Sequence, residues 1–376
     1  MDALMLPSNW QRVRLGDILT LKHGRDYKNF KLGNIPVYGS GGYMLSINNF
    51  LHNGESVCIG RKGTIDKPIY LNGKFWVVDT LFYSYSFKKS IPKFIFYAFS
   101  IIKWSNYNEA TGVPSLTKMT ISNIEIPLPP LNEQRAIANI LSDLDRYLYS
   151  LDALILKKES VKKALSFELL SQRKRLKGFN QNWQRVRLGT YKYRRGSFPQ
   201  PYGNPQWYSD NGMPFVQVYD VGENFKLTQK TKQKISKIAQ PMSVFVPKNS
   251  VIITLQGTIG RVALTQYGCY CDRTILIFDN NTLNDVNKYF FVLSLFTKFE
   301  EEKRKADGSI IKTITKQTLK DFEILLPPLN EQIAIANILS ALDNEIISLK
   351  NKKRQFENIK KALNHDLMSA KIRVLK

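Results

Sequence analysis

One segment of eighteen residues occurs twice in this chain. Residues 128–145 read LPPLNEQRAIANILSDLD and residues 326–343 read LPPLNEQIAIANILSALD, so sixteen of the eighteen positions agree. A second repeat, NWQRVRLG, occupies residues 9–16 and 182–189. Because most of the sequence between these repeats differs, the pattern predicts a duplicated unit whose two copies share their ends and diverge in between.

This duplication divides the chain into four predicted segments. They are a first module at residues 1–130, a first long helix at 131–178, a second module at 179–328 and a second long helix at 329–376. The modules contain short runs of β-forming residues between turns, as in IPVYGSGGYML and SVIITLQGTIGRVALT, and helical patterns at residues 92–103 and 285–305. The predicted fold class is therefore α/β (α+β), with two similar domains.

Each long segment begins after a Leu-Pro-Pro phrase and continues with a heptad pattern of apolar residues. Proline disfavours helix in the residue before it, so the phrase separates each helix from its module. Asn132 and Asn330 are predicted N-caps, the first helix is predicted to run to about residue 177, and Val161 and Ile359 extend the apolar stripe. The predicted helix–helix interface consists of Leu141, Leu144, Leu148, Leu151, Ile155, Leu165, Leu339, Leu342, Ile346, Leu349, Phe356 and Leu363.

The link between the first helix and the second module indicates the direction of the helices. Residues 177–186 form only a short connection, whereas parallel helices would need the chain to return along the full helix length. We therefore predict an antiparallel intramolecular coiled coil with pseudo-two-fold symmetry. The alternative is that each helix packs only on its own module.

The charge balance points to a polyanionic partner. The chain has 55 Lys and Arg against 31 Asp and Glu, a formal net charge of +24. A lysine-rich composition scattered over the surface is the alternative, but it does not account for the shortage of acidic residues. Nucleic acid is the favoured partner. With three cysteines and a longest apolar run of nine residues, FIFYAFSII, we expect a reduced, cytoplasmic protein that does not enter a membrane.

Catalytic patterns are missing from the sequence. It has no Gly-x-x-x-x-Gly-Lys-Ser/Thr phosphate loop, and NPQW at residues 204–207 lacks the second proline of an adenine-methylation loop. His23, His52 and His365 are too dispersed to suggest a metal site. We expect no catalytic residue, no metal and no cofactor in this chain.

Binding features remain in the loops. GRKGTID at residues 60–66 and QGTIGR at 256–261 place basic and amide side chains on glycine-flanked turns, where backbone N–H groups are open to phosphate. A solvated charge run is the alternative for any single cluster. The predicted contacts to duplex DNA are Arg25, Lys28, Tyr38, Ser40, Tyr43, Arg61, Lys62, Thr64, Arg194, Arg195, Gln217, Gln256, Thr258, Arg261, Arg304 and Lys305.

These features together resemble the specificity (S) subunit of type I restriction–modification systems. The likeness rests on two divergent modules, each followed by LPPLNEQ-x-AIANILS-x-LD and a long helix, and it covers essentially the whole chain. IPVYGSGGY, GRKGTI and QGTIG also resemble recurrent phrases of that family's target-recognition domains.

The resemblance implies a non-catalytic reader of double-stranded DNA. Each target-recognition domain would read one half of an asymmetric bipartite target, and the helices would hold the two readers on the order of one to two duplex turns apart. Two methyltransferase (M) subunits would bind S-adenosylmethionine and methylate an adenine in each half-site. Restriction/translocase (R) subunits, which use ATP and Mg, join such complexes where DNA is cleaved.

Two alternatives to this reading remain open. The first is a self-sufficient DNA-modification enzyme whose catalytic loop departs from the usual pattern. The second is a structural pseudo-dimer that binds DNA without sequence preference. Specific binding that survives competitor DNA would separate the main reading from the second alternative.

Overall fold

The computed structural model describes residues 6–222, 224–256, 260–305 and 316–374, with the side chains of Lys305 and Lys316 left out. The chain divides into two compact units. The first comprises residues 1–153 and 350–376, and the second comprises residues 154–349. Each unit therefore combines one module with part of both long helices, which the sequence had set apart as separate segments.

The first module is built from short strands and three helices. Strand β6 is buried along its whole length because it lies between β7 and β9 and consists of apolar and small residues. The elements are β1 (Gln11–Arg14), α1 (Leu15–Ile18), β2 (Thr20–His23), β3 (Leu32–Gly39), β4 (Gly42–Ile47), β5 (His52–Asn53), β6 (Ser56–Gly60), β7 (Ile69–Leu71), β8 (Lys74–Val77), β9 (Leu81–Tyr85), α2 (Pro92–Ile101), α3 (Lys118–Asn123), β10 (Glu125–Leu128) and α4 (Leu131–Leu170).

Two four-stranded sheets organise this module. One has the order β2-β9-β6-β7 and the other the order β4-β3-β8-β5, in which β3 and β8 are parallel. A separate antiparallel pair, β1 with β10, joins the two ends of the module. The main core lies between the first sheet, helix α2 and the beginning of α4, where Val57, Phe94 and Leu141 are fully buried. The module is thus closed by the first turns of the long helix.

The second module repeats this architecture. Its sheets have the orders β12-β19-β16-β17 and β14-β13-β18-β15, with β13 parallel to β18 and β11 paired with β20. The elements are β11 (Gln184–Arg187), β12 (Tyr193–Arg195), β13 (Tyr208–Val216), β14 (Gln233–Ile235), β15 (Val244–Val246), β16 (Val251–Thr254), β17 (Val262–Leu264), β18 (Cys269–Cys271), β19 (Ile275–Phe278), α5 (Lys288–Lys305), α6 (Lys316–Asp321), β20 (Glu323–Leu326) and α7 (Leu329–Met368). The predicted α/β class and the duplication are confirmed.

Two glycines show how closely the modules correspond. A Cβ on Gly24 would lie 2.1 Å from the carbonyl oxygen of Val78, and a Cβ on Gly196 would lie 2.2 Å from that of Cys271. Only glycine permits this approach of one backbone to another. Ser56 follows Gly24 by 32 residues in the first module, whereas the corresponding Ser250 follows Gly196 by 54 residues in the second. Most of the extra length of the second module is therefore inserted before β16.

The long helices α4 and α7 have forty residues each, or about 60 Å at the usual rise per residue. In the first unit, Lys353 Nζ lies 2.7 Å from an Asp152 carboxylate oxygen, and Lys360 pairs with Asp145. As the residue number rises along one helix it falls along the other, so the two segments are antiparallel.

The second unit shows the same arrangement. Lys158 Nζ lies 2.8 Å from a Glu345 carboxylate oxygen, and Lys162 pairs with Asp343. The predicted antiparallel direction is confirmed within each unit.

The predicted interface residues are turned inward to different degrees. Leu141, Leu151, Ile155, Leu339 and Ile346 are buried, and Leu144, Leu148, Leu165, Leu342, Leu349, Phe356 and Leu363 are half-buried. Leu141 and Leu339 belong to the cores of the first and second modules. The apolar seam therefore serves helix–module packing as well as helix–helix packing.

The long helices differ from the sequence prediction at the end of α4 and at two positions of the apolar stripe. Helix α4 ends at Leu170 rather than near residue 177, and Gln172 just beyond it adopts a φ of 61°. A left-handed residue at this place is a common way to end a helix. Val161 and Ile359, which the apolar stripe included, are exposed by 45% and 44%. These two positions were wrongly assigned to the stripe.

The predicted N-caps are also wrong. Helices α4 and α7 begin at Leu131 and Leu329, so the two asparagines lie inside the first turn. The carbonyls of Pro130 and Pro328 accept the first helical hydrogen bonds, from Gln134 and Gln332 at 3.0 and 3.1 Å. Proline fits there because a residue at the N-cap position needs its carbonyl, but not its missing N–H, for the first helical bond.

Candidate nucleic-acid interface

The repeated Glu-Gln pair at the start of each long helix is buried and bonded within its own unit. The Glu133 carboxylate is 2% exposed and accepts hydrogen bonds from Trp10 Nε1 at 3.0 Å and from Arg373 Nη2 at 3.0 Å. In the second unit, Glu331 accepts from Trp183 Nε1 at 3.1 Å and from Arg175 Nη2 at 2.6 Å. Both arginines also donate through Nε, which gives the bidentate geometry that carboxylates favour.

The neighbouring glutamines hold the helix of each module. The Gln134 side-chain oxygen accepts from Ile91 N at 2.9 Å, just before α2, while its amide donates to the Pro129 carbonyl at 2.8 Å. Gln332 accepts from Asn287 N at 2.9 Å, just before α5, and donates to Pro327 at 2.8 Å. Buried contacts therefore explain the repeated Glu-Gln pair, whereas Leu131 and Leu329 of the same phrase are exposed.

A tyrosine from each module reaches the paired helices. The Tyr97 hydroxyl donates to Asp145 Oδ2 at 2.6 Å, and Tyr289 donates to Asp343. Burial, together with the adjacent carboxylate, raises the pKa of both phenols well above the ordinary value. Each tyrosine therefore acts as a hydrogen-bond donor to the aspartate of its long helix.

In the first module, three loops meet at one place. They are the hairpin tip between β3 and β4, the turn after β6, and the turn between β8 and β9. Ser40 N donates to Thr80 Oγ1 at 3.3 Å, and Arg61 donates through N to the Thr80 carbonyl at 2.8 Å and through Nη1 to the Asp79 carbonyl at 3.1 Å. The predicted DNA contacts Ser40, Arg61 and Lys62 are thus on adjoining loops.

A cleft of about 770 Å³ lies beside these loops. Three predicted contacts, Lys28, Ser40 and Tyr43, contribute to its walls together with Asp26 and Asp79. The rings of Tyr38 and Tyr43 lie 6.1 Å apart, one pair of residues before the tip of the hairpin. Arg25 precedes the cleft residues and is exposed, and Thr64 is half-buried in the turn after β6. Three of the predicted DNA contacts therefore line this cleft, whereas its two aspartates were not among the predicted residues.

The turn after β6 depends on glycine. A Cβ on Gly60 would lie 2.0 Å from the carbonyl oxygen of Thr64, which no side chain tolerates. The tight turn leaves Arg61 and Lys62 exposed at its tip. Any substitution of Gly60 is therefore expected to displace the basic tip.

In the second module, the predicted DNA contacts lie in separate parts of the domain. Arg261 is half-buried and donates through Nη1 to the Val221 carbonyl at 3.1 Å, so part of its role is structural. It lines a smaller cavity of about 350 Å³ with Glu300 and Lys303 of α5, and Arg304 Nε donates to the Glu300 carbonyl at 3.2 Å.

Other predicted residues of this module lie elsewhere. Arg194 Nη2 donates to the Phe245 carbonyl at 3.3 Å, which links β12 to the other sheet, and Arg195 is exposed. Gln217 N donates to Asp220 Oδ2 at 2.9 Å, and its side-chain oxygen accepts from the Tyr219 hydroxyl. Gln256 is exposed, while Thr258 and the side chain of Lys305 lie outside the described residues.

The described residues offer little for chemistry. Burial raises the pKa of the Cys58 thiol to about 12, which keeps it from acting as a nucleophile at neutral pH. Within the described part of the chain, no group of three or more His, Cys, Asp or Glu side chains is arranged to hold a metal ion. In the same residues, no helix has both the length and the apolar character to span a membrane.

Two copies of one α/β module, each closed by paired antiparallel helices and carrying basic and aromatic loops, define a nucleic-acid-recognition protein. The family model for the type I restriction modification DNA specificity domain matches residues 7–159 and 200–358. The chain therefore belongs to this family. It is a DNA specificity subunit of the type I restriction–modification class, a recognition subunit rather than a catalytic one.

Individual relatives agree with this family. A Methanocaldococcus jannaschii protein, the putative type I restriction enzyme MjaX specificity subunit, is 28% identical over 299 residues, covering 75% of this chain and 68% of that protein. The MjaVIII specificity subunit of the same organism is 25% identical and covers 100% of this chain and 95% of that protein.

Solved structures show the same fold. The S subunit from M. genitalium has a TM-score of 0.68 at 16% identity, covering 97% of this chain and 98% of that chain. A chain from a study of complex assembly and conformational transition in the type I system has a TM-score of 0.59 at 18% identity, with coverage of 97% and 98%.

Proposed function

We propose that this chain directs a methyltransferase complex to an asymmetric bipartite DNA target, with one half-site read by each module. The observation that carries the proposal is that the two modules share a topology and buried end contacts while their loops differ. A common frame with different loops suits two readers that serve the same partners and recognise different bases. The unlike loops imply that the two half-sites are unlike.

Charge supports DNA as the ligand. The net charge of +24 favours association with a polyanion through release of its counterions. Exposed Arg25, Lys28, Arg61 and Lys62 lie on or beside the converging loops of the first module. Lys and Arg at such positions contact phosphates, which fix the register of a protein on the duplex, and base edges, which give specificity.

The catalytic steps belong to partners in this proposal. Two methyltransferase (M) subunits bind S-adenosylmethionine and methylate one adenine in each half-site, and restriction/translocase (R) subunits with ATP and Mg join where DNA is cleaved. This chain binds none of these cofactors.

Exchange of one module tests the proposal. The block between Gly189 and Glu323 would be replaced with that of a relative, and methylated adenines would be mapped across the genome of a host that also makes the partner subunits. Because the repeated end contacts are kept, we expect a new sequence in one half-site and the original sequence in the other.

The controls in this experiment are the unaltered chain and a host without the chain. Change in both half-sites would contradict a modular reader. Methylation without sequence preference would contradict specific recognition, and methyl transfer by the purified chain alone would establish the self-sufficient enzyme.

A further inference from the structure

The turn between β8 and β9 and the turn between β18 and β19 are the same place in the two modules. Leu81 pairs with Gly60, and Ile275 pairs with Thr254, at the ends of matching strands. The residue after β6 donates to the Thr80 carbonyl at 2.8 Å, and the residue after β16 donates to the Thr274 carbonyl, also at 2.8 Å. Position 79 of the first module therefore corresponds to position 273 of the second.

These two positions carry opposite charges. The first module has Asp79 in the sequence VDTL, and the second has Arg273 in the sequence DRTI. Both side chains are exposed. The neighbouring threonine is kept in both turns, whereas the buried residue before the charged one is Val78 in the first module and Asp272 in the second. The exposed charge of the turn is therefore inverted at positions 79 and 273.

The backbone at Asp79 is held while its carboxylate is not. The Asp79 carbonyl accepts from Arg61 Nη1, and the adjoining Val78 N donates to the Tyr38 carbonyl at 2.9 Å. Among the described residues, no hydrogen bond or ion pair engages the Asp79 side chain, although Lys28 lines the same cleft. A fixed turn thus presents an unengaged acceptor at the wall of the cleft.

Arg273 is exposed, and an aromatic ring supports its side chain. Its guanidinium lies over the ring of Tyr202, 5.3 Å from the ring centroid, and the Tyr202 hydroxyl donates to the buried Asp272. Asp272 in turn accepts from Thr274 N at 2.8 Å. A planar donor supported on an aromatic ring loses less freedom when it binds.

The chemistry of DNA limits what each side chain can bind. An ionised carboxylate only accepts hydrogen bonds and is repelled by phosphate, so its partner on a duplex is an amino group of a base. In the major groove, Asp accepts from cytosine N4, whereas Arg donates in bidentate fashion to O6 and N7 of guanine. The basic residues around Asp79 offset the repulsion between its carboxylate and the phosphates.

Given that the chain reads DNA as proposed above, we propose that positions 79 and 273 are corresponding specificity positions of the two modules. The Asp79 carboxylate accepts a hydrogen bond from cytosine in one half-site, and the Arg273 guanidinium binds guanine in the other. One turn, which is kept in the fold and carries Asp79 in one module and Arg273 in the other, gives the two modules opposite preferences.

The test is selection from DNA libraries with randomised half-sites, using the full-length chain in complex with its methyltransferase partners. We expect Asp79→Arg to replace cytosine by guanine at one position of one half-site, with a change in preference of about 5- to 150-fold. Asp79→Asn should favour adenine there, since Asn pairs with adenine N6 and N7. Arg273→Asp should replace guanine by cytosine in the other half-site only.

The matched control is Asp17→Arg, which makes the same charge change at an exposed residue of α1. It should raise affinity for all DNA without altering the selected sequence. The assignment of these positions is wrong if the variants at Asp79 and Arg273 select the unaltered target. It is also wrong if Asp79→Arg, Asp79→Asn and Arg273→Asp all lose binding across the whole library. If the unaltered complex itself selects no sequence, the proposed function fails instead.

Discussion

The two modules agree at their ends and differ at their loops. In the first, Glu133 accepts from Trp10 and Arg373, and in the second, Glu331 makes the same contacts with Trp183 and Arg175. At the turn between matching strands, however, one module presents Asp79 and the other presents Arg273. Contacts that close a fold are kept because a buried charge without its partner is costly, whereas an exposed loop side chain is free to change.

The same contact is also reached by different routes. Ile91 and Asn287 correspond, because each donates its N–H to the repeated glutamine, yet Tyr97 follows the first by six residues and Tyr289 follows the second by two. Both tyrosines nevertheless donate to corresponding aspartates of the long helices. The hydrogen bond between each module and its long helix is therefore kept even though the two tyrosines do not occupy corresponding positions in the sequence.

The largest expected effect concerns the buried carboxylates. Replacing Glu133 or Glu331 with Ala leaves a tryptophan N–H and a partly exposed arginine without their buried acceptor. Because several hydrogen bonds to one buried carboxylate are lost together, each change should lower the free energy of unfolding by roughly 3–5 kcal/mol. Urea unfolding measures this. Glu125→Ala, which removes only an exposed pair with Arg14 at 3.9 Å, is the control and should change stability by under about 1 kcal/mol. A large effect in one unit alone would show that Glu133 and Glu331 do not stabilise their units equally.

A smaller effect is expected from the tyrosines. Tyr97→Phe and Tyr289→Phe each remove a hydrogen bond to a carboxylate, and each should lower the free energy of unfolding by about 1–3 kcal/mol. Tyr149→Phe is the control, since that ring is 78% exposed on α4. Loss of stability in the control equal to that in the two test variants would show that the hydrogen bonds contribute nothing.

The next effect separates a reading residue from a supporting one. Arg61→Ala should weaken DNA binding by about 1–3 kcal/mol and lower the melting temperature less than Arg261→Ala does, because its hydrogen bond to the Asp79 carbonyl lies at an exposed tip. Arg261→Ala should lower the free energy of unfolding by about 1 kcal/mol, since its guanidinium is bonded to the Val221 carbonyl. Fluorescence anisotropy and thermal unfolding give the two readouts. Equal melting temperatures for both variants would contradict the distinction.

The smallest effect is a pH dependence confined to the first module. Burial against Phe75 and Tyr83, with the charge of Lys22, lowers the pKa of His52 below its ordinary value of 6.5. The unfolded chain therefore binds more protons, so the free energy of unfolding should fall as pH drops below that value.

The control for this prediction is already present in the second module. Val246 takes the place of His52, because it pairs with Cys269 as His52 pairs with Phe75. His52→Val should remove the dependence, as measured by urea midpoints at about pH 7.5 and about pH 5.5. If the urea midpoint of His52→Val changes with pH as much as that of the unaltered chain, His52 does not titrate differently on folding.

The sequence by itself determined the duplication, the two long helices, their antiparallel direction and the family. Each of these follows from a pattern read along the chain: identical phrases, a heptad period and a short link. Predicted contacts such as Ser40, Arg61 and Lys62 came from glycine-flanked turns, which are also local signals. The predicted end of α4 was wrong because the left-handed residue Gln172, rather than the apolar pattern, marks where the helix ends.

Only the tertiary structure decided which residues meet. Trp10 and Glu133 are 123 positions apart, and Arg373 and Glu133 are 240 apart, so no local pattern joins them. The correspondence of Asp79 with Arg273 is likewise hidden, because insertions shift the second module by different amounts along its length. Periodicity reports which face of an element is apolar, whereas a hydrogen bond between distant residues exists only once packing has brought donor and acceptor within about 3 Å.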